Sequence, residues 1–296
     1  MATTIVVAGA TGNLGTRVTT SLLRRGAEVI ALARVGAAGD KVAALEDLGA
    51  RVTLVDMADA RAIAAACAGA ACVVSAVQGL RDAIVEAQSA LLAAAITAGV
   101  PRFIPSDFST DFTTLPAGQN RNFDLRRAFH ARLDGAPIAS TAIFNGAFAE
   151  LLTYNVPLLD VKKKVVGYWG DPNGRIDFTT MDDTAAYTAA AALDPTTPRA
   201  LRIASFQVSA ADLATFTKDV LETPFELVRM GSLDDLAASN ARERAAHPEG
   251  EAELYPRWQQ SQYMHSMLSA RHASLDNDRY PDLTWTKLQD LITPRP

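Results

Sequence analysis

The chain has 296 residues, of which 49% are hydrophobic and 21% charged, and its formal net charge is −5. This composition excludes a disordered chain and allows one large domain or two smaller ones with a sizeable buried core. A net negative protein has no long-range attraction for phosphate backbones or anionic lipid, so the expected partner is a small-molecule substrate, not nucleic acid or a membrane.

Met1-Ala2-Thr3-Thr4 lead straight into a strand-like run without a charged leader, and no stretch reaches the ~18 unbroken apolar residues of a membrane span. A soluble, cytoplasmic protein is expected. Ile5-Val6-Val7-Ala8 reads as the first strand, and Leu14 to Arg25 as a helix closed by Gly26. Between them lies Gly9-Ala10-Thr11-Gly12-Asn13-Leu14-Gly15. Glycine at 9 and 12 lets the backbone turn tightly and approach a pyrophosphate. The helix that follows offers unpaired N–H groups and the positive end of its dipole, and Gly15 allows it to pack close to the strand. This segment is expected to seat the phosphates of a dinucleotide.

The second strand, Glu28 to Ala33, ends at Arg34. A carboxylate at that place would accept from a ribose 2′-hydroxyl and repel a 2′-phosphate, whereas a guanidinium binds the phosphate, so NADP(H) is the expected cofactor. Lys41, opening the next helix, adds a second candidate cation. The third strand, Arg51 to Val55, runs into Asp56 and Met57 beside the adenine edge. The fourth, Ala71 to Ala76, runs through Val77 and Gln78 toward the diphosphate side. Further strands are expected at Arg102 to Pro105 and Pro137 to Ile143, with helices at Asp59 to Cys67, Leu80 to Ala98 and Phe123 to Leu133. Six strands in this alternation predict an α/β fold, a Rossmann-type doubly wound parallel sheet with a smaller α+β C-terminal substrate domain. Cys67 and Cys72 are the only cysteines and have neither a disulfide framework nor metal-ligand spacing, which fits a reducing compartment and no metal site.

After Asn145 the rhythm breaks. A short helix at Ala147 to Thr153 is followed by a hairpin-like pair, Lys164 to Trp169 and Ile176 to Thr179, joined by Gly170-Asp171-Pro172-Asn173-Gly174. Lys162, Lys163 and Lys164 read as a solvated strand edge. A helix at Asp182 to Leu193 and a strand at Leu201 to Ala204 return to the sheet, and helices at Ala210 to Leu221 and Ser232 to Ala245 open a mixed cap. The expected division is a Rossmann domain at 1–145, with 177–205 packed back on it, and a cap made of 146–176 and 206–296. The stretch Leu254 to Tyr263 carries no readable chemistry.

The glycine loop, Arg34, Ala98-Gly99-Val100-Pro101-Arg102-Phe103-Ile104-Pro105-Ser106-Asp107-Phe108, and the run from Tyr168-Trp169-Gly170-Asp171 to Asp177-Phe178-Thr179-Thr180-Met181-Asp182-Asp183 together resemble the NmrA-like and isoflavone-reductase-like group of atypical short-chain dehydrogenases. The resemblance extends to about Ser205. It implies a Rossmann domain with a small C-terminal domain, NADPH as cofactor, and a cleft between the two. Family reductases carry a lysine near the nicotinamide in a Phe-Glu-x-Lys pattern, and here Phe123-Asp124-Leu125-Arg126 places Arg126 there. A guanidinium keeps its proton at any workable pH, so Arg126 can clamp an anion but cannot replace that lysine as acid or base. The Tyr-x-x-x-Lys pair of ordinary short-chain dehydrogenases is also missing, because Tyr154 is followed by Leu158 and Tyr187 by Ala191.

His130, four residues beyond Arg126, is the candidate proton source, and Ser106 and Asp107 stand at the carboxyl end of the fifth strand where ligands bind. Asn145-Gly146-Ala147-Phe148 is similar to the family segment that lines the nicotinamide and substrate pocket, which brings Asn145 and Phe148 into the site. The leading expectation is an NADPH-dependent reductase of a small carbonyl, enone or quinone-like compound, with Arg126, His130 and Asp107 on the reaction side. The alternative is an NADP(H)-binding redox sensor that works through a regulatory protein partner without turnover. Whether the chain forms a homodimer is left open.

Overall fold

β-branched runs buried on both faces, separated by Ala-rich amphipathic stretches, have one low-energy arrangement, a parallel sheet with helices on either side. The computed structural model of the protein describes residues 2–272 and 274–292 and shows this arrangement. Met1 and the end of the expected cap, 293–296, lie outside the described residues.

The amino-terminal half runs β1 (Thr4–Ala8), α1 (Asn13–Arg24), β2 (Glu28–Arg34), α2 (Gly39–Asp47), β3 (Arg51–Val55), α3 (Ala60–Cys67), β4 (Cys72–Ser75), α4 (Gln88–Thr97), β5 (Arg102–Ile104), α5 (Arg121–Leu133) and β6 (Ala139–Ser140). A π-helical turn at Asp82–Ala87 leads into α4. The strands are parallel in the order β3-β2-β1-β4-β5-β6. The direction of winding reverses between β1 and β4, and the crevice outside their carboxyl ends is where such sheets bind ligands.

Alternation of side chains divides the sheet between two cores. Ile5, Val7, Val29 and Ala31 face α1 through Val18 and Leu22, whereas Val6, Ala8, Ile30 and Leu32 face Ile63 of α3, Leu91 of α4 and Phe129 of α5. Cys67 and Cys72 are both free and buried, and burial pushes their thiols up to about 11 and about 12. They are inert packing residues at neutral pH.

The second half continues with β7 (Ala142–Phe144), β8 (Ala147–Phe148), β9 (Val165–Trp169), β10 (Ile176–Thr179), α6 (Met181–Leu193), β11 (Ala200–Arg202), β12 (Phe206–Val208), α7 (Ala210–Asp219), β13 (Glu226–Gly231), α8 (Leu233–Ala246), α9 (Arg257–Ser269) and α10 (Leu288–Ile292). The expected sixth strand is split at Thr141: β6 pairs with β5, and β7 leaves to pair with β11. The expected helix at Ala147–Thr153 is instead β8 followed by a 3-10 turn.

The expected hairpin does not form. β9 pairs in parallel with the distant β13, while β10 pairs with β12 and β8 in another sheet, so the glycine-rich turn separates two sheets. Lys162 to Lys164 lie exposed in the turn before β9, not on a strand edge, and Lys163 pairs with Asp160 at 3.6 Å. The second half of the chain has its own core, built from Leu152, Phe178, Leu213, Met264 and Leu268 among others. α6 returns to the main sheet and packs along α1, bringing Ala185, Ala189 and Ala192 into the first core.

Candidate functional site

Gly9 has φ +76, and a Cβ there would lie 2.6 Å from the carbonyl oxygen of Ala76 at the end of β4. A Cβ on Gly15 would lie 2.1 Å from the Gly9 carbonyl oxygen, so only glycine lets α1 press this closely against β1. The Gly12 N–H donates to the Gly9 carbonyl at 3.0 Å, closing the turn, and Gly12 caps α1 without any side-chain hydrogen bond. The first intrahelical bond is Thr16 N–H to Gly12 C=O at 2.9 Å, leaving the N–H groups of Asn13, Leu14 and Gly15 ahead of it. α1 also has no acidic residue in its first turn. Bare donors at a positive helix end make a cradle for a phosphate. Thr11 is half-buried in the loop, Leu14 packs on the first core, and the Asn13 side chain accepts from Arg17 Nε at 2.9 Å.

Arg34 is exposed at the end of β2, in register with Val55 of β3, and Lys41 is exposed one turn into α2. Among the described residues neither side chain has an ion-pair partner. Asp56 is exposed and accepts from the Ala58 N–H at 2.9 Å, whereas Met57 is partly buried against the second core.

On the other side of the switch point the ends of β4 and β5 meet. The Ala76 N–H donates to the Ala8 carbonyl at 2.8 Å, which ties the two central strands together beyond β4. The Val77 carbonyl accepts from the Ser106 hydroxyl at 2.7 Å. Arg126, on α5, donates from Nε to the Ser106 carbonyl at 3.1 Å and from Nη1 to the Asn122 carbonyl at 3.2 Å. Its Nη2 has no partner among the described residues.

His130, one turn further along α5, takes a different contact: its Nε2 lies 2.5 Å from Asp107 Oδ2, and its Nδ1 lies 3.4 Å from Arg199 Nη2. The guanidinium can only donate, so Nδ1 accepts and Nε2–H donates to the carboxylate. Both ring nitrogens are therefore engaged within the protein, and Phe112 closes over the ring with a 5.1 Å centroid separation. The helix thus brings Arg126 and His130 to adjacent residues, Ser106 and Asp107.

Tyr255 was invisible as a site residue in the sequence. Its hydroxyl accepts from Gln78 Nε2 at 2.5 Å. Packing around the phenol and the neighbouring Tyr263 push its pKa up, while the Gln78 hydrogen bond and the Arg126 charge pull it down, with a net rise. The phenol therefore stays protonated at neutral pH, and its own O–H remains available to donate.

What holds Tyr255 there is Arg121, at the start of α5. It donates from Nη1 to the carbonyls of Gly250 and Glu251 at 3.0 and 3.2 Å, and from Nη2 to those of Glu253 and Leu254 at 2.8 and 3.0 Å. The Trp258 ring lies 4.8 Å from the Arg121 guanidinium and 5.0 Å from that of Arg244. No motif announces this latch, because its acceptors are backbone groups.

Asn145 is fully buried, and among the described residues both atoms of its side-chain amide are without partners. Phe148 is half-buried in β8 against the first core. The two tyrosines of the missing Tyr-x-x-x-Lys pattern are elsewhere. Tyr154 is exposed, and Tyr187 is buried and donates to the Asp276 carbonyl at 2.8 Å.

A six-stranded parallel sheet in this order, with a tight glycine bend at the switch point, defines a Rossmann-type α/β protein. A family model described as NmrA-like family matches residues 1–233, and the chain belongs to that family. The match runs past Ser205, where the resemblance in the sequence was expected to end. The chain is 34% identical to pinoresinol reductase 1 of Arabidopsis thaliana over 211 residues, and 31% identical to pinoresinol reductase 2 of the same plant over 210 residues. Each alignment spans 66% of this chain and 66% of the relative's own length.

Among solved structures it is similar over nearly its whole length to AtPrR2 with NADP+ and (+)-pinoresinol, with TM-score 0.81, 25% identity and coverage of 98% of this chain and 97% of the other. It shares the fold of an isoflavone reductase, with TM-score 0.82, 18% identity and 99% of both chains covered. No helix among the described residues is long and apolar enough to cross a membrane.

Proposed function

We propose that the chain is an NADP(H)-dependent reductase that transfers hydride to a small aromatic compound bearing a carbonyl, enone, quinone or cyclic ether oxygen. The observation that carries this is the cradle at Gly9, Gly12 and Gly15, where a Cβ on Gly9 or Gly15 would strike backbone at 2.6 or 2.1 Å, together with Arg34 at the end of the next strand, which has no ion-pair partner among the described residues. The bare N–H groups of α1 fit a pyrophosphate, and Arg34, with Lys41 nearby, fits the 2′-phosphate that distinguishes NADP from NAD. The printed names of the relatives, pinoresinol reductases, and the NADP+ in the similar solved structure support the same cofactor and a multi-ring phenolic substrate.

Held there by the residues of the cradle and Arg34, NADPH would supply the hydride. The chain's own residues manage the oxygen left behind. Arg126, fixed by two backbone carbonyls, points its remaining Nη2 donors at developing negative charge, and electrostatic help of this kind needs no proton transfer. Tyr255 keeps its phenolic proton and presents it beside that charge, with its oxygen held by Gln78, so it takes the part of the missing lysine and tyrosine. Asp107 and His130 act behind these groups by holding the Ser106-Asp107 bend against α5. The division into a Rossmann domain and a substrate cap, and a cytoplasmic setting, belong to the same reading.

The test mixes the full chain with NADPH and a panel of quinones, enones, aromatic ketones and pinoresinol, and follows cofactor absorbance. Oxidation with at least one class is expected. Saturable NADPH binding with no oxidation across the panel overturns the reductase and leaves a cofactor sensor that acts through a regulatory protein. No binding at all overturns both.

A further inference from the structure

Outside the Arg126 and Tyr255 cluster the cap holds a second polar pair. His272 follows α9, with its side chain 5% exposed, and its Nδ1 lies 2.7 Å from Oδ2 of Asp177 on β10. The other carboxylate oxygen accepts from Gln207 Nε2 at 2.6 Å. A carboxylate can only accept, so Nδ1 carries the hydrogen, and in the neutral ring Nε2 keeps its lone pair. That Nε2 is buried and has no partner among the described residues. A buried acceptor left unmet costs stability, and such a group in a native fold calls for a ligand or water.

The pair forms one wall of a small, partly open cleft, completed by Thr110, Gly146, Ile176, Met267 and Ala270. A water-sized sphere has only about 10 Å³ of free volume there, room for one hydroxyl or one water, so the cleft suits a single small group of a larger molecule. Its geometry is fixed by close packing: a Cβ on Gly146, which has φ +64, would lie 2.2 Å from the Asp177 carbonyl oxygen. Ile176, Met267 and Ala270 offer nothing to a full charge, and the nearby Arg271 guanidinium is tied back to the Leu268 and Ala270 carbonyls. Thr110 lies four residues beyond Ser106, and the Asn145 N–H, next to Gly146, donates to the Ser109 carbonyl at 3.1 Å, so the cleft adjoins the loop that carries Ser106.

We propose that His272, oriented by Asp177, is a hydroxyl-recognising subsite whose Nε2 accepts a hydrogen bond from a phenol or alcohol group of the substrate. The occupant being part of the substrate rests on the reductase reading. Binding at the subsite does not require turnover.

The test titrates the full chain with p-cresol and with its methyl ether, which has the same ring but no donor, and follows binding by calorimetry and the His272 ring nitrogens by NMR. We expect p-cresol to bind about tenfold more tightly than the ether, the worth of one hydrogen bond, and to move the Nε2 resonance. His272→Phe abolishes the preference. Asp177→Asn, which leaves the backbone intact, weakens it and shifts the tautomer balance, with NADPH affinity unchanged in both variants. Equal binding of the two probes, or an Nε2 resonance that does not move, overturns the proposal and leaves a water-filled cavity. NADPH oxidation measured on the same samples separates the two readings. A p-cresol preference without oxidation of any substrate removes only the reductase, and oxidation without the preference removes only the subsite.

Discussion

Gly9→Ala and Gly36→Ala make a matched pair, because both glycines have left-handed backbone, φ +76 and φ +83. A side chain in that region costs about 1–2 kcal/mol at either site, and the loss of unfolded-state freedom is common to both. The surroundings differ. A Cβ at Gly36 meets nothing within 4 Å, whereas at Gly9 it lies 2.6 Å from the Ala76 carbonyl oxygen and 3.0 Å from the Val77 nitrogen. Ala76 cannot easily withdraw, because its N–H is bonded to the Ala8 carbonyl at 2.8 Å in the middle of the sheet. Overpacking against fixed backbone adds about 1–3 kcal/mol.

Urea unfolding is therefore expected to show a loss of about 1–2 kcal/mol for Gly36→Ala and about 2–5 kcal/mol for Gly9→Ala. NADPH fluorescence titration should show strongly weakened binding only for Gly9→Ala. Equal stability losses, or unimpaired NADPH binding by Gly9→Ala, would refute the claim that close approach at the β1–β4 junction shapes the phosphate cradle.

Arg34→Asp should lower affinity for NADPH by about tenfold to a hundredfold, the worth of a charged hydrogen bond, and leave NADH binding nearly unchanged. Equal losses for both cofactors in parallel titrations would remove the case for 2′-phosphate recognition. Tyr255→Phe should cut kcat by about 10²-fold or more with NADPH affinity intact, as expected for loss of a positioned acid, and an unchanged kcat would return the phenol to a packing role. Asp194 tests the link between pH and stability. Burial raises its pKa, but hydrogen bonds from Thr196, Arg279 and Tyr280 outweigh that and hold the carboxyl far below its ordinary 3.8. A depressed folded-state pKa contributes stability that is fully present above the ordinary value and drains away as the pH falls below it. Thermal melts should show wild type above Asp194→Asn at neutral pH and converging with it in acid, and a gap that widened on acidification would contradict the sign.

The six-stranded sheet was readable because strands buried on both faces are written as unbroken apolar runs, such as Ile5-Val6-Val7-Ala8, with turn residues at each end. The glycine loop was readable for a related reason, since its constraints are local to a strand, a turn and a helix. Pairing across long distances left no such trace. Gly170 to Gly174 has good turn chemistry, yet the partner of β9 is β13, some sixty residues further on, and nothing in either segment encodes that choice. The split at Thr141 is of the same kind, because β7 is drawn away by β11. Near the strand ends, the contacts of Ser106 and Asp107 with Arg126 and His130 could be anticipated from strand-end position, from the family pattern at Arg126 and from the helical spacing of His130. Tyr255 and His272 were not, since each acquires its place only when the cap folds over the sheet.

The Arg121 latch has a consequence for how such a molecule can change. The residue that grips four carbonyls of the 250–254 arm lies five positions before Arg126 on one stiff rod, α5. A cation fixed to one half and a phenol borrowed from the other are thereby measured along a common ruler. Loops elsewhere in the second half are then free to drift toward new molecules while the spacing of the guanidinium and the phenol stays inherited.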